Sequence, residues 1–241
     1  MIKIIGRKPV LEAINSGAEI EVIYLQYGQH GEIIDKIFSS AKKQGIKISQ
    51  ISTNKFNEIA KVDNAQGVVA LRSVQKFYGL DELIKCSKQK QFPLFLLLDS
   101  IQDPHNLGAI LRTAECAGVD GVIVTTNQSA PISETVEKIS AGAVSYLKIT
   151  KVINLVRAIE ELKKSGFWIV GTHLNGEKYY DQIDYKIPIA LVLGNEEKGI
   201  RKLVAENCDF LVKIPMKGKI DSLNVSVSTG VFLFEINRQR T

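Results

Sequence analysis

Five consecutive apolar residues, Leu94-Phe95-Leu96-Leu97-Leu98, carry no polar alternation. A strand with one wet face alternates; one without alternation is buried on both faces, as in parallel sheets covered by helices on either side. The chain from Phe92 onward has the matching pattern. Strands are predicted over 94–98, 121–125, 146–149, 168–171, 187–193 and 210–214, and helices over 106–117, 133–140, 153–165 and 196–207, with a last helix over 223–238. The expected fold is α/β, a mainly parallel sheet with helices on both faces. Ligands of such sheets bind beyond the carboxyl ends of the strands, so function is sought in the polar segments that follow them.

Three segments stand out. After Leu98 come Asp99, Ser100, Gln102, Asp103, Pro104, His105 and Asn106, then Leu107, Ile110, Leu111 and Ala114 at helical spacing, with Gly118 to end the helix. Asn106 is the expected N-cap. Side chains on a helix tilt toward its N-terminus, so Arg112 is expected to reach back toward residues 103–106; it reads equally well as a surface arginine. The second segment runs Gly194-Asn195-Glu196-Glu197-Lys198-Gly199. Gly194 ends a strand where a missing side chain lets a ligand approach the backbone. Glu196 and Glu197 are expected to open the next helix, at the positive end of its dipole, and plain helix capping explains them too. In the third, Ile214-Pro215-Met216 precedes Ser222-Leu223-Asn224. Ser222 is the expected cap of the last helix, Asn224 lies in its first turn near free backbone donors, and Val227, Val231 and Phe234 form a packing stripe. An ordinary capped terminal helix has the same outline. A GxGxxG after the first strand and a GxxxxGK[ST] loop are both missing, so dinucleotide and P-loop nucleotide sites have no support.

Together the segments resemble, in order, the three signatures of the SpoU (TrmH-type) RNA ribose 2′-O-methyltransferases. The first is Asp103-Pro104-x-Asn106-x-Gly108-x-x-x-Arg112-x-Ala114, the second Leu191-x-Leu193-Gly194-x-Glu196-x-x-Gly199. The third is Ile214-Pro215-Met216-x-Gly218-x-x-x-Ser222-Leu223-Asn224-Val225-Ser226-Val227-Ser228-x-Gly230. The resemblance implies a SPOUT methyltransferase domain with a C-terminal trefoil knot whose loops hold S-adenosylmethionine. Carried over by motif position, Gly194, Ile214, Met216 and Leu223 are the implied cofactor contacts, with Thr172 beyond the strand ending near Gly171. Asn106, Arg112, Glu196, Ser222 and Asn224 match the catalytic positions. No metal is implied. The family acts as homodimers whose site is completed across the interface.

Residues 1–75 read as a small α/β unit, with helices predicted from Pro9 and over 32–43 and strands over 21–27, 47–51 and 67–74. Gly6-Arg7 before a helix and Gln66-Gly67-Val68-Val69-Ala70 resemble the N-terminal RNA substrate-binding domain of many SpoU enzymes, which is similar to ribosomal RNA-binding proteins. Ala65 stands where the family often has histidine. Lys3, Arg7, Lys8, Lys42, Lys43, Lys47 and Arg72 are either a phosphate-facing surface or a solvated charged face. Gln75 to Pro93 reads as the junction, with residues 76–92 as the linker and 93–241 as the methyltransferase domain. This layout resembles the RlmB-type branch, which methylates a guanosine ribose in large-subunit (23S) rRNA. A transfer-RNA guanosine enzyme shares the same signatures, and a non-catalytic RNA-binding protein on this fold is the competing class.

Composition sets the outer bounds. A net charge of +5 and a pI near 9.0 tilt mildly toward polyanions. Cys86, Cys116 and Cys208 are far apart, with no CxxC pair, so neither a disulfide framework nor a zinc site is indicated. A cytoplasmic protein is expected. The apolar runs are too short to span a bilayer.

Overall fold

The computed structural model describes residues 2–62, 65–72, 76–196 and 198–241. Two compact units form: residues 1–76 with 131–134, and residues 77–130 with 135–241.

The smaller unit runs β1 (Ile2–Ile5), α1 (Arg7–Asn15), β2 (Ile20–Gln26), α2 (Glu32–Lys43), β3 (Lys47–Ile51), α3 (Thr53–Ala60) and β4 (Val68–Arg72). Its sheet has the order β1-β4-β2-β3, with β2 parallel to β3 and β4 antiparallel to both its neighbours. Val10, Ile14, Ile34, Ile37 and Ala41 from α1 and α2 pack on one face of the sheet. Phe56 and Ala60 of α3 join Ala65 and Val69 in a second cluster. Val74 and Gln75, read as the strand end and the start of the junction, lie outside the described residues. Arg7 is a tie rather than a free phosphate ligand. Its Nε donates to the Gln66 carbonyl at 3.1 Å, its Nη1 to the His30 carbonyl at 3.4 Å and its Nη2 to Gln29 Oε1, while its backbone N–H donates to Gln66 Oε1.

The larger unit runs α4 (Leu80–Ser87), β5 (Leu94–Leu98), α5 (Pro104–Cys116), β6 (Gly121–Thr125), α6 (Glu134–Ile139), β7 (Ile149–Val152), α7 (Leu155–Lys164), β8 (Trp168–Thr172), β9 (Lys178–Tyr179), β10 (Ile189–Leu193), α8 (Lys202–Glu206), β11 (Phe210–Lys213) and α9 (Val225–Arg240). The sheet order is β7-β6-β5-β10-β8-β11-β9, and every pair is parallel. Phe95 and Leu97 of β5, Ala190 and Val192 of β10 and Ile169 of β8 share one core with α4, α7 and α8. The alternate residues Leu94, Leu96, Leu98 and Leu191 are buried as well, so the sheet is covered on both faces. Burial of each such side chain contributes about 2 kcal/mol. Residues 77–92, expected as a linker, carry α4, whose Leu83 and Ile84 belong to this core.

Two expectations are corrected. The strand predicted over 146–149 begins at Ile149; a 3-10 turn, Ala143–Ser145, precedes it, because Ala141 and Gly142 take positive φ and break the run. The stripe Val227–Val231–Phe234 is not the packed face of α9. Phe232, Leu233 and Ile236 are buried, whereas Val227 and Phe234 are 53% and 54% exposed. Gly108 is required by packing: a Cβ there would meet the Ile139 side chain at 2.7 Å and the Val136 carbonyl at 3.2 Å, so α5 and α6 touch through it.

Candidate active site

Beyond the carboxyl ends of β8, β10 and β11 lies a cleft of about 300 Å³, closed on one side by the start of α9. This is the end of the sheet where parallel architectures bind ligands, and β8 lies beside β10 out of chain order.

The loop after β10 folds back on itself. Asn195 and Gly199 exchange two backbone hydrogen bonds, at 3.1 and 2.8 Å, Gly199 takes a φ of +64°, and Ile200 is buried. A Cβ on Gly194 would lie 2.1 Å from the carbonyl carbon of Gly199 and from the nitrogen of Ile200. The expectation that Gly194 leaves room for a ligand is therefore corrected: its own loop fills that space. The helix expected over 196–207 is also shorter, beginning only at Lys202, because the turn around Gly199 interrupts it. Glu197 lies outside the described residues. Glu196 does meet a helix N-terminus, but that of α9. Its Oε1 accepts from the Val225 backbone N–H at 3.3 Å and from the Asn224 side-chain amide.

Asn224, not Ser222, caps α9, and it precedes the first turn. Its Oδ1 accepts from the Ser226 N–H at 2.9 Å, which leaves its Nδ2 to donate to Glu196 and, at 3.0 Å, to Asn106 Oδ1. An amide can accept and donate at once; a serine hydroxyl has only one proton to give. Asn106 is likewise not the cap of α5. Asp103 is, accepting from the His105 N–H at 3.0 Å, with Pro104 at the first helical position. The capping done by Asp103 frees the Asn106 carboxamide. One residue from each of the three segments thus meets at a single point: Asn106, Glu196 and Asn224.

Arg112 does not join them. It is exposed on α5, and no hydrogen bond connects it to Asn106, Glu196 or Asn224. Thr172, Gly194, Ile214, Met216 and Leu223 all line the cleft, as do Glu196 and Ser222. The sequence reading missed His173, Leu174 and Asn175 just beyond β8 and Phe232 of α9, which line it too. The strand-end rule that selected Thr172 extends to the first three.

The lining suits S-adenosylmethionine. Leu174, Met216 and Leu223 are 62%, 36% and 38% exposed, an apolar surface fit for a nucleoside ring. Glu196, Lys198 and Lys213 put both charge signs at the same cleft, as a zwitterionic amino acid requires. Among the described residues, no three His, Cys, Asp or Glu side chains are grouped to hold a metal ion.

Residues 93–234 match the SpoU rRNA Methylase family, and residues 3–73 match the substrate-binding module of RNA 2′-O-ribose methyltransferases. The chain belongs to the SpoU methyltransferase family. It is an RNA ribose methyltransferase of the SpoU/TrmH type. YacO of Bacillus subtilis (strain 168), named as a TrmH family tRNA/rRNA methyltransferase, is 37% identical over 238 residues, 98% of this chain and 95% of its own. An AdoMet-bound rRNA methyltransferase from Sinorhizobium meliloti superposes with a TM-score of 0.64 at 29% identity, covering 99% of this chain and 87% of its own. A TrmH/SpoU tRNA modifying enzyme from A. aeolicus gives 0.58 at 36% identity, over 67% of this chain and 82% of its own. Among the described residues, no helix is long and apolar enough to cross a membrane.

Proposed function

We propose that this SpoU enzyme transfers a methyl group from S-adenosylmethionine to the ribose 2′-OH of one guanosine in large-subunit (23S) rRNA. The observation that carries the chemistry is the meeting of Asn106, Glu196 and Asn224 beside the cleft. The rRNA assignment is supported by coverage. The rRNA-named structure spans 99% of the chain, including the substrate-binding unit, whereas the tRNA-named one spans 67%. Its 36% identity keeps a tRNA guanosine as the second reading.

When bound, the cofactor supplies an electrophilic methyl whose leaving group departs neutral. Thr172, Ile214, Met216 and Leu223 would hold it, together with the backbone at Gly194. The chain's own task is to bring a poor nucleophile into position and to stabilise the alkoxide that forms as its proton leaves. Asn106 and Asn224 orient the ribose, with Ser222 beside them, and Glu196 holds the Asn224 amide in place. Arg112 clamps a substrate phosphate with its planar fork and stabilises the developing charge; a guanidinium is effectively always protonated, so it is an awkward base.

Arg112 lies outside the cleft of its own chain, which supports a homodimer whose site is completed across the interface. The exposed Val227 and Phe234 of α9, the helix that packs on α5, offer an apolar face for a second copy. The trefoil knot that the family resemblance implies belongs to this reading. The free thiols of Cys86, Cys116 and Cys208 support a reducing, cytoplasmic setting.

The test is a map of ribose methylation in RNA from cells lacking the protein. One unmethylated guanosine ribose in large-subunit rRNA is the expected result. The gap appearing in tRNA instead selects the second reading. An intact map, with no tritium transfer to RNA by the purified protein, overturns both.

A further inference from the structure

The loop that carries Glu196 is hung at both ends on residues the signatures do not include. At its far end the Arg201 backbone N–H donates to Asp99 Oδ2 at 2.8 Å, and Arg201 Nε donates to Asp99 Oδ1 at 2.7 Å. Asp99 follows β5 directly, is fully buried, and donates its own N–H to the Leu193 carbonyl at the end of β10. At the near end Asn195 Nδ2 donates to the Ser100 carbonyl at 3.2 Å, and Ser100 holds a φ of +65°. Between these anchors the Asn195–Gly199 pair closes the loop and Ile200 plugs into the core. Glu196 is left with little freedom except in its own side chain.

We propose that Arg201, docked on Asp99, is a positioning residue: it fixes the loop so that Glu196 holds Asn224 and the first N–H of α9. The inference rests on the methyl-transfer reading for its consequence in rate, not for its consequence in structure. Two donors of one residue grip the two oxygens of one carboxylate, so the carboxylate plane and the residue's backbone are set together. The buried Asp99 carboxylate needs a partner for stability in any case; what the pair adds is the place of the loop. This one ties the loop that carries Glu196 into the cleft lining to the residue that follows β5.

The test uses the full-length protein with Arg201→Met, Arg201→Lys, Glu196→Gln and the Arg201→Met/Glu196→Gln double variant. Three quantities are read: the NMR positions of the Val225 amide and the Asn224 side-chain amide, the single-turnover rate of methyl transfer to RNA at saturating cofactor, and the melting temperature. Arg201→Met is expected to move both signals in the direction that Glu196→Gln moves them, and to slow transfer about tenfold to a hundredfold, the usual consequence of a displaced catalytic group. The double variant is expected to add little to either single one, because both act through the same contact. Arg201→Lys, which keeps the charge, recovers part of the rate and carries the same readouts should the Met variant not fold. Wild-type signals and rate in Arg201→Met, or additive losses in the double variant, overturn the proposal. A fall in melting temperature alone, with signals and rate unmoved, also overturns it. If the wild-type protein transfers no methyl, the functional reading fails while the NMR arm still decides the positioning.

Discussion

Gly194→Ala places one methyl group where the chain has none to spare. The nearest atoms would be the Gly199 carbonyl carbon and the Ile200 nitrogen at 2.1 Å and the Gly199 oxygen at 2.4 Å, against the 3.4 Å at which ordinary contact begins. The backbone must retreat by more than 1 Å. It is not free to do so, because the Asn195–Gly199 hydrogen bonds, the buried Ile200 and the Arg201–Asp99 pair all hold it. Overpacking of this kind costs about 1–3 kcal/mol, and each backbone hydrogen bond lost adds about 1 kcal/mol. A destabilisation of about 3 kcal/mol follows, or about 6–12 °C in Tm for a unit of this size. Scanning calorimetry measures it, with Gly79→Ala as the control: a Cβ on Gly79 would have nothing within 4 Å, and its φ is not positive. Titration with S-adenosylmethionine on the folded variant is expected to show weakened binding, because the displaced loop lines the cleft. A Gly194→Ala protein as stable as the Gly79→Ala control would refute the close-approach argument.

Arg112→Ala is expected to abolish transfer and Arg112→Lys to leave a small residual rate, with cofactor binding intact in both; mixing Arg112→Ala with Asn224→Ala subunits should restore about a quarter of the wild-type rate if each dimer pairs one chain's arginine with the other's cleft. Burial pushes the Cys208 thiol up to about 12, and burial likewise raises the Tyr185 phenol. Stability from a raised acid is complete below its unfolded pKa and is lost as pH climbs toward the folded value, so Tm should fall from about pH 9 upward, less steeply in Cys208→Ala, while at pH 8 a thiol reagent labels Cys86 and Cys116 but not Cys208.

What was legible in the sequence was set by local pattern. The all-apolar run at 94–98 and the β-branched run at 121–125 match β5 and β6 residue for residue, because a doubly buried strand has no other way to be written. The three polar segments do converge, and strand-end logic found most of the cleft. What local pattern misjudged was the division of labour within a segment. Asn106 and Ser222 both look like caps, yet Asp103 and Asn224 do the capping; which oxygen meets which N–H depends on a turn of backbone that composition does not encode. Gly194 was rightly singled out for a wrong reason, since the approaching backbone is five residues away in the same loop. Least legible was the Asp99–Arg201 pair, whose members are 102 residues apart and carry no shared periodicity.

The contact of Glu196 with the start of α9 has a mechanical consequence. Beginning a helix is the unfavourable step and extending it is not, and α9 begins on a carboxylate borrowed from another loop: Glu196 accepts from Val225 N–H and steadies the capping amide. It also answers the positive end of the helix dipole. The first turn of α9 is therefore steadier, by about 1 kcal/mol, while Glu196 stays where it is. That makes a thermodynamic linkage that runs in both directions. Whatever draws Glu196 away frays the helix, and whatever stiffens the helix sharpens the address of Glu196. Since α9 is 16 residues long, a rod of about 24 Å, a change confined to one small cleft has a lever attached to it, with Val227 and Phe234 along its outer side.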